Sequence, residues 1–199
     1  MLAMMRSHRP HQGGFTLIEL LATLAIATVL LMVAIPSMLT YKRNAELTSA
    51  TNTLFSAINA ARGEAMKRSM YAMVVPADGA NWNMGWTVFV DVNRNRIYDA
   101  GTDQLVLSQK QLPSYITVTG NGTAGATVPY VMFDASGFSA VQGSASFAAL
   151  TMQLVRNDVS GGNVYDQTRR IKIALTGRAR TCKPTGASDT TCTLAASGG

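Results

Sequence analysis

The run RRIKIALTGRARTCK, residues 169–183, carries Arg169, Arg170, Lys172, Arg178, Arg180 and Lys183 and no acid. Such an array suits phosphates, because each guanidinium offers a planar fork for bidentate contact and each neutralised phosphate releases counterions. Aromatic residues are sparse around it, so contact with a nucleic-acid backbone fits better than stacking on single-stranded bases. The plainer alternative is a solvated face, or cations paired with acids on adjacent molecules. If RIKIALT is a strand, alternation sends Ile171, Ile173 and Leu175 to a core and Arg170 and Lys172 to solvent. Gly177 lets the chain leave the sheet, and in an extended tail Arg178 and Arg180, two apart, point the same way. The formal charge of the chain, +6, is in part a matter of Arg6 and Arg9 and is a weaker argument than this local clustering.

Other chemistry is thinly supported. Asp91, Asn93, Asn95 and Asp99 occupy positions one, three, five and nine of a calcium-loop pattern, but Arg96 replaces the turn glycine and Thr102 the bidentate glutamate. Asp and Asn are equally the residues of tight turns, so a structural turn is expected and no metal site is assigned. Cys182 and Cys192 show no metal-ligand spacing; if this part is exported, a disulfide is the natural reading, with two reduced thiols as the alternative. His8 and His11 are the two histidines, and both precede the apolar run described below. No nucleophile motif, phosphate-binding loop or dinucleotide fingerprint is present, and scattered carboxylates select no reaction. The sequence therefore points to a chain that is not an enzyme and has no cofactor.

The elements that must position the basic run begin with an apolar stretch. FTLIELLATLAIATVLLMVAI, from Phe15 to Ile35, spans roughly 30 Å as a helix, which matches a bilayer's hydrocarbon thickness. Beyond it, Leu47, Ala50, Leu54, Ile58, Ala61 and Ala65 recur at three- and four-residue steps, the stripe of a helix packed on one side. Then come seven short apolar or alternating runs bounded by turn residues: YAMVVP, GWTVFVDV, QLVLSQ, YITVT, YVMF, FAALTMQLV and RIKIALT. The predicted fold class is α+β, one long N-terminal helix packed against an antiparallel sheet.

Before the apolar stretch lies MLAMMRSHRPHQGG, polar and positively charged, which stays on the cytoplasmic side by the positive-inside rule. A cleaved signal peptide would place its small residues after the apolar run, whereas Gly13 and Gly14 precede it. Within the run sits Glu19, although a charge in hydrocarbon costs on the order of 2.5 kcal/mol or more. At Gly14, Phe15 and Glu19 the chain resembles the type IV pilin and pseudopilin superfamily. The resemblance implies that prepilin peptidase cuts after Gly14, that Phe15 becomes an N-methylated amino terminus, and that Glu19 is an assembly contact with the terminal amine of a neighbouring subunit. Pairing that amine with the carboxylate lowers the cost of carrying both into an apolar environment; the competing role is a glutamate that snorkels to the interface. Pro36 falls where pilins place a helix-kinking proline.

Further on, GWTVFVDVNRNRIYDAGTDQLV and FDASGF resemble the GspH/FimT family of minor pilins and pseudopilins, and GRAR resembles the Gly-Arg-x-Arg tail of FimT-type minor pilins, which bind DNA during natural transformation. By that resemblance Gly177, Arg178 and Arg180 map onto the motif. The expected organisation is a removed leader at 1–14, a transmembrane and filament-core helix at 15–36, an amphipathic continuation at 37–70, and a periplasmic β-rich head at 71–199. The expected partners are prepilin peptidase, other pilin or pseudopilin subunits, the inner membrane and DNA bound without sequence preference. A type II secretion pseudopilin and a minor pilin that primes pilus assembly are the alternative roles.

Overall fold

The computed structural model describes residues 14–159 and 164–196, without the side chains of Val33, Pro36 and Ser37. The leader before Gly14 and any effect of the Pro36 ring therefore lie outside the described residues. One helix, α1, runs from Leu17 to Arg68, and the chain divides into two compact units, residues 1–43 and 44–199.

In the first unit the large apolar side chains of α1 are exposed, among them Leu17, Ile18, Leu21, Leu24, Ile26 and Leu30. Two of its threonines are turned inward on the helix itself: the Thr23 hydroxyl donates to the Leu20 carbonyl and the Thr28 hydroxyl to that of Leu24. This back-bonding satisfies a hydroxyl without water. Among the described residues, no helix is long and apolar enough to cross a membrane; the side chains of Val33, within the apolar run, and of Pro36 and Ser37, just after it, are outside that description.

In the second unit the helix buries the predicted stripe. Leu47, Leu54, Ile58, Ala61 and Ala65 are fully buried and Ala50 nearly so, with Ala57 joining them. The four alanines among them let the sheets approach closely, while Leu54 and Ile58 fill the space between. The helix ends at Arg68, where Lys67 and Arg68 complement the dipole and Ser69 turns into the left-handed region at φ 55°.

Eight strands follow: β1 Tyr71–Pro76, β2 Trp86–Asp91, β3 Gln104–Gln109, β4 Ile116–Gly120, β5 Val131–Phe133, β6 Leu150–Arg156, β7 Thr168–Ile173 and β8 Ala179–Cys182. They form two four-stranded sheets, ordered β3-β2-β1-β5 and β4-β6-β7-β8, with every neighbouring pair antiparallel. Both contribute to one core with the helix: Val74, Val88 and Phe133 from the first, Val118, Leu154 and Ile171 from the second. All seven predicted strands are present. The expected antiparallel head is present and divides into two sheets, and an eighth strand lies within what reads as an extended tail, because Gly177 turns the chain back along β7 instead of releasing it.

Candidate functional site

At the start of α1, Phe15 is 86% exposed. Thr16 and Glu19 have capping-box spacing: the Thr16 hydroxyl accepts from the Glu19 backbone N–H at 3.3 Å. Glu19 thus stands in the first turn, where the helix dipole favours an acid, one turn from the residue that would become the amino terminus.

The cations of the basic run are divided by the register of β7 and β8. Arg170 pairs with Cys182, Ile171 with Thr181, Lys172 with Arg180 and Ile173 with Ala179. Ile171 and Ile173 are fully buried in the core, so alternation places Arg169, Thr181 and Lys183 toward the same side and Arg170, Lys172 and Arg180 on the opposite, outer face. At Arg170 and Lys172 that outer face is not open to solvent, contrary to the expectation from the sequence, whereas Arg180 at its edge stays exposed. The face is crossed by the segment Thr191–Ala195, whose five successive carbonyls each accept a bond from the sheet or from Asn121 just after β4. Arg180 donates to Thr191 at 2.6 Å and Arg170 to Cys192. Lys172 donates to the Thr193 and Ala195 carbonyls at 3.1 and 2.9 Å, and Asn121 to Leu194 at 2.7 Å. Thr151 adds a bond to Ala195, and Gln153 holds Arg170 from the side.

The correction to Lys172 is the largest: it is only 4% exposed. Burial pushes its amine below the ordinary lysine value, and the charges of Arg180 and Arg170 add to the effect. Leu175, expected in the core, is 38% exposed, because β7 stops at Ile173 and the next residues form a turn. Arg178 lies just beyond that turn, exposed, as is Arg180. Lys183 pairs with Asp166 at 2.6 Å, both about half exposed. Arg169 donates Nη1 to the carbonyls of Asp166 and Thr168.

Gly177 has a structural duty. At φ +75° it occupies the left-handed region, and a Cβ there would stand 1.8 Å from the Gly137 carbonyl oxygen. Arg62 of α1 ties the two turns together: its Nε donates to Gly137 at 2.9 Å and its Nη2 to Thr176 at 3.1 Å. The FDASGF and GRAR stretches therefore meet at one arginine, a contact that neither shows locally.

Cys182 and Cys192 form a disulfide, tying the end of β8 to the start of the covering segment. The loop between them is organised by Asp189, which accepts from the backbone N–H groups of Thr185, Thr191 and Cys192 and from both threonine hydroxyls. Its carboxyl is held well below the usual aspartate value, the Cys192 N–H contributing most.

In the Asp91 loop the oxygens are occupied by turn hydrogen bonds. Asp91 accepts from the N–H groups of Asn95 and Arg96, Asp103 from those of Val92 and Asp99, and Asp99 from the amides of Asn93 and Asn95. Arg94 and Arg96 take left-handed φ values of 61° and 68°. Burial raises the Asp91 carboxyl, against the bond from Arg96, and Asp103 raises it further. Among the described residues no group of three or more His, Cys, Asp or Glu side chains is placed to hold a metal ion.

A long helix, a head of two antiparallel sheets, and an acid one turn into an apolar N-terminal run define the pilin-like class of filament subunit. Residues 9–35 match the prokaryotic N-terminal methylation motif, and residues 50–177 match the family described as type II transport protein GspH. That second match covers more than half of the chain, which belongs to the GspH family. The pilin-like protein PilA1 of Thermus thermophilus is 41% identical over 91 residues, covering 45% of this chain and 55% of that protein; the chain thus spans about half the length of this curated relative. Two crystal forms of the type IV minor pilin FimU of Pseudomonas aeruginosa share the fold. One has a TM-score of 0.52 at 17% identity over 73% of this chain and 97% of FimU. The other has 0.50 at 16% identity over 69% and 97%.

Proposed function

We propose that the chain is a minor type IV pilin that is cut after Gly14 by prepilin peptidase, methylated at Phe15, and assembled with other pilin subunits through Glu19. In this reading residues 1–14 are the leader, 15–36 the single inner-membrane pass and later the filament core, 37–70 the helix that anchors the head, and 71–199 the periplasmic head. The methylation-motif match over residues 9–35 is the observation that carries the subunit role. Members of this family are structural subunits, and the chain is read as one.

The head's specific role in this reading is sequence-independent DNA binding during uptake. It rests on the cations that remain accessible at the edge strand β8: Arg178 and Arg180 are exposed and Lys183 about half so. Arg170 and Lys172 serve indirectly by fixing the covering segment, and Gly177 by shaping the turn that presents Arg178. Three cations that each neutralise one phosphate give a slope of log affinity against log salt of about −3.

The test is a salt-series titration of the full-length chain in nonionic detergent with a short duplex, Arg178→Ala/Arg180→Ala alongside. A marked negative slope that falls by about 2 in the double variant supports the reading. Absence of binding at low salt refutes it, and favours either a type II secretion pseudopilin, in keeping with the family's description as a type II transport protein, or a minor pilin that primes pilus assembly.

A further inference from the structure

Arg169 and Lys183 differ from the rest of the basic run in what they face. They lie on the helix side of the second sheet, where β7 and β8 pass the α1 residues Thr48 to Asn52. There the surface is concave: a cleft of about 290 Å³ is lined by Thr48, Asn52, Arg169, Thr181 and Lys183 among others. It is too small for a whole organic ligand of ordinary size and suits one anionic group.

Its donors are arranged for such a group. Arg169 spends Nη1 on two carbonyls, which fixes the guanidinium plane, and among the described residues Nε and Nη2 have no hydrogen-bond partner. Burial pushes that guanidinium below the ordinary arginine value, with Asp166 opposing, so part of its hydration is already removed. Lys183 reaches the same cleft from just beyond β8, the neighbouring strand, and its ion pair to Asp166 is about half exposed on both sides and therefore cheap to exchange. The Asn52 amide and the Thr181 hydroxyl are exposed neutral donors. Two cations from a sheet opposed by an amide from a helix can surround an anion with several acceptor oxygens.

We propose that this cleft is a phosphate-binding site, with Arg169 and Lys183 supplying charge and Asn52 and Thr181 completing the shell. The source of the phosphate rests on the DNA reading above: a phosphodiester of the bound duplex, seated on the opposite side of β8 from Arg180. The site would then fix the backbone's position, whereas Arg178 and Arg180 contribute attraction along it.

Asn52→Asp separates the possibilities, because it keeps the size of an exposed helix residue while turning a donor into an anion. The full-length chain in nonionic detergent is titrated with inorganic phosphate, followed by the NMR shifts of the Asn52 amide and Thr181, and with a short duplex. Saturable shifts are expected. Asn52→Asp should weaken phosphate and duplex by about tenfold or more, the loss for a bond to a charged partner, while Asp166→Asn, which releases Lys183, should tighten both. Phosphate binding with no duplex binding upholds the cleft and removes DNA as its source; vesicles of anionic phospholipid then test a headgroup. Duplex binding that ignores Asn52→Asp but fails in Arg178→Ala/Arg180→Ala overturns the cleft and leaves the DNA reading intact. No shift with phosphate, and no response of either affinity to Asn52→Asp, overturns the proposal.

Discussion

Lys172→Met removes the amine beneath the C-terminal segment while keeping a stem of similar length and shape. The amine makes three bonds, to the Thr193 carbonyl at 3.1 Å, the Thr193 hydroxyl at 3.0 Å and the Ala195 carbonyl at 2.9 Å. A bond to a charged donor contributes roughly 1.5 to 3 kcal/mol, but the three do not add, because a buried ammonium also carries a desolvation cost of several kcal/mol that methionine avoids. We take the net loss as about 2 kcal/mol, close to one such bond. That raises the population with the segment detached by about thirtyfold. Chymotrypsin reads this population at Leu194, since cleavage requires several residues of free extended backbone. Where reclosing outpaces cleavage, the initial rate follows the open fraction and should rise by the same factor, resolved by mass spectrometry of the released end. Lys67→Met, at an exposed cation on the helix, is the control and should leave the rate unchanged. A rate within twofold of the parent for Lys172→Met would mean that the segment is held by something other than this amine.

Gly177→Ala should destabilise by at least about 2 kcal/mol, lowering Tm by roughly 4 to 8 °C, from both the left-handed backbone and the clash with Gly137. Gly79→Ala, at φ +79° but in open space, should cost only about 1 kcal/mol; equal losses by thermal unfolding would refute the clash. Asp189 has a depressed pKa when folded, so its contribution is complete above the unfolded value near 3.8 and is lost as pH falls toward the folded one. Thermal melts below about pH 4 should therefore show an acid loss of stability that Asp189→Asn lacks; superimposable acid limbs would contradict the assignment. Arg62→Met should loosen the turns at Gly137 and Thr176 together, visible as paired gains in hydrogen exchange at Gly137 and Gly177, and a gain at only one would refute the shared anchor.

The stripe from Leu47 to Ala65 was legible because helical period and burial are the same statement for a helix packed on one side. Seven strands were legible for the matching reason at period two. Their partition into two sheets was not, since pairing joins residues far apart in sequence and no local pattern records it. β8 was hidden because its turn glycine reads equally well as an exit from the sheet. Alternation did assign Lys172 to the face away from the core. What it could not convey is that this face is covered by Thr191–Ala195, a segment with no apolar pattern and no charge. Arg62, Asn121 and Thr151 escaped notice for a related reason: each acts on a distant main-chain oxygen, which every residue possesses. Asp189 left a faint trace, an Asp among small hydroxyl residues just before a cysteine, which is the composition of a side-chain-capped turn.

Apart from the Thr193 hydroxyl, the sheet grips Thr191–Ala195 by its carbonyls, so what it recognises is mainly spacing. The identities of Leu194 and Ala195 are then nearly free to drift over evolutionary time, provided that the disulfide at Cys192 keeps the five oxygens in phase with Arg180, Arg170, Lys172, Asn121 and Thr151. A single inserted residue after Cys192 would be worse tolerated than several replacements. Related chains could share this outer layer while showing no similarity along it, their kinship there preserved in the length of the segment and in the donors beneath.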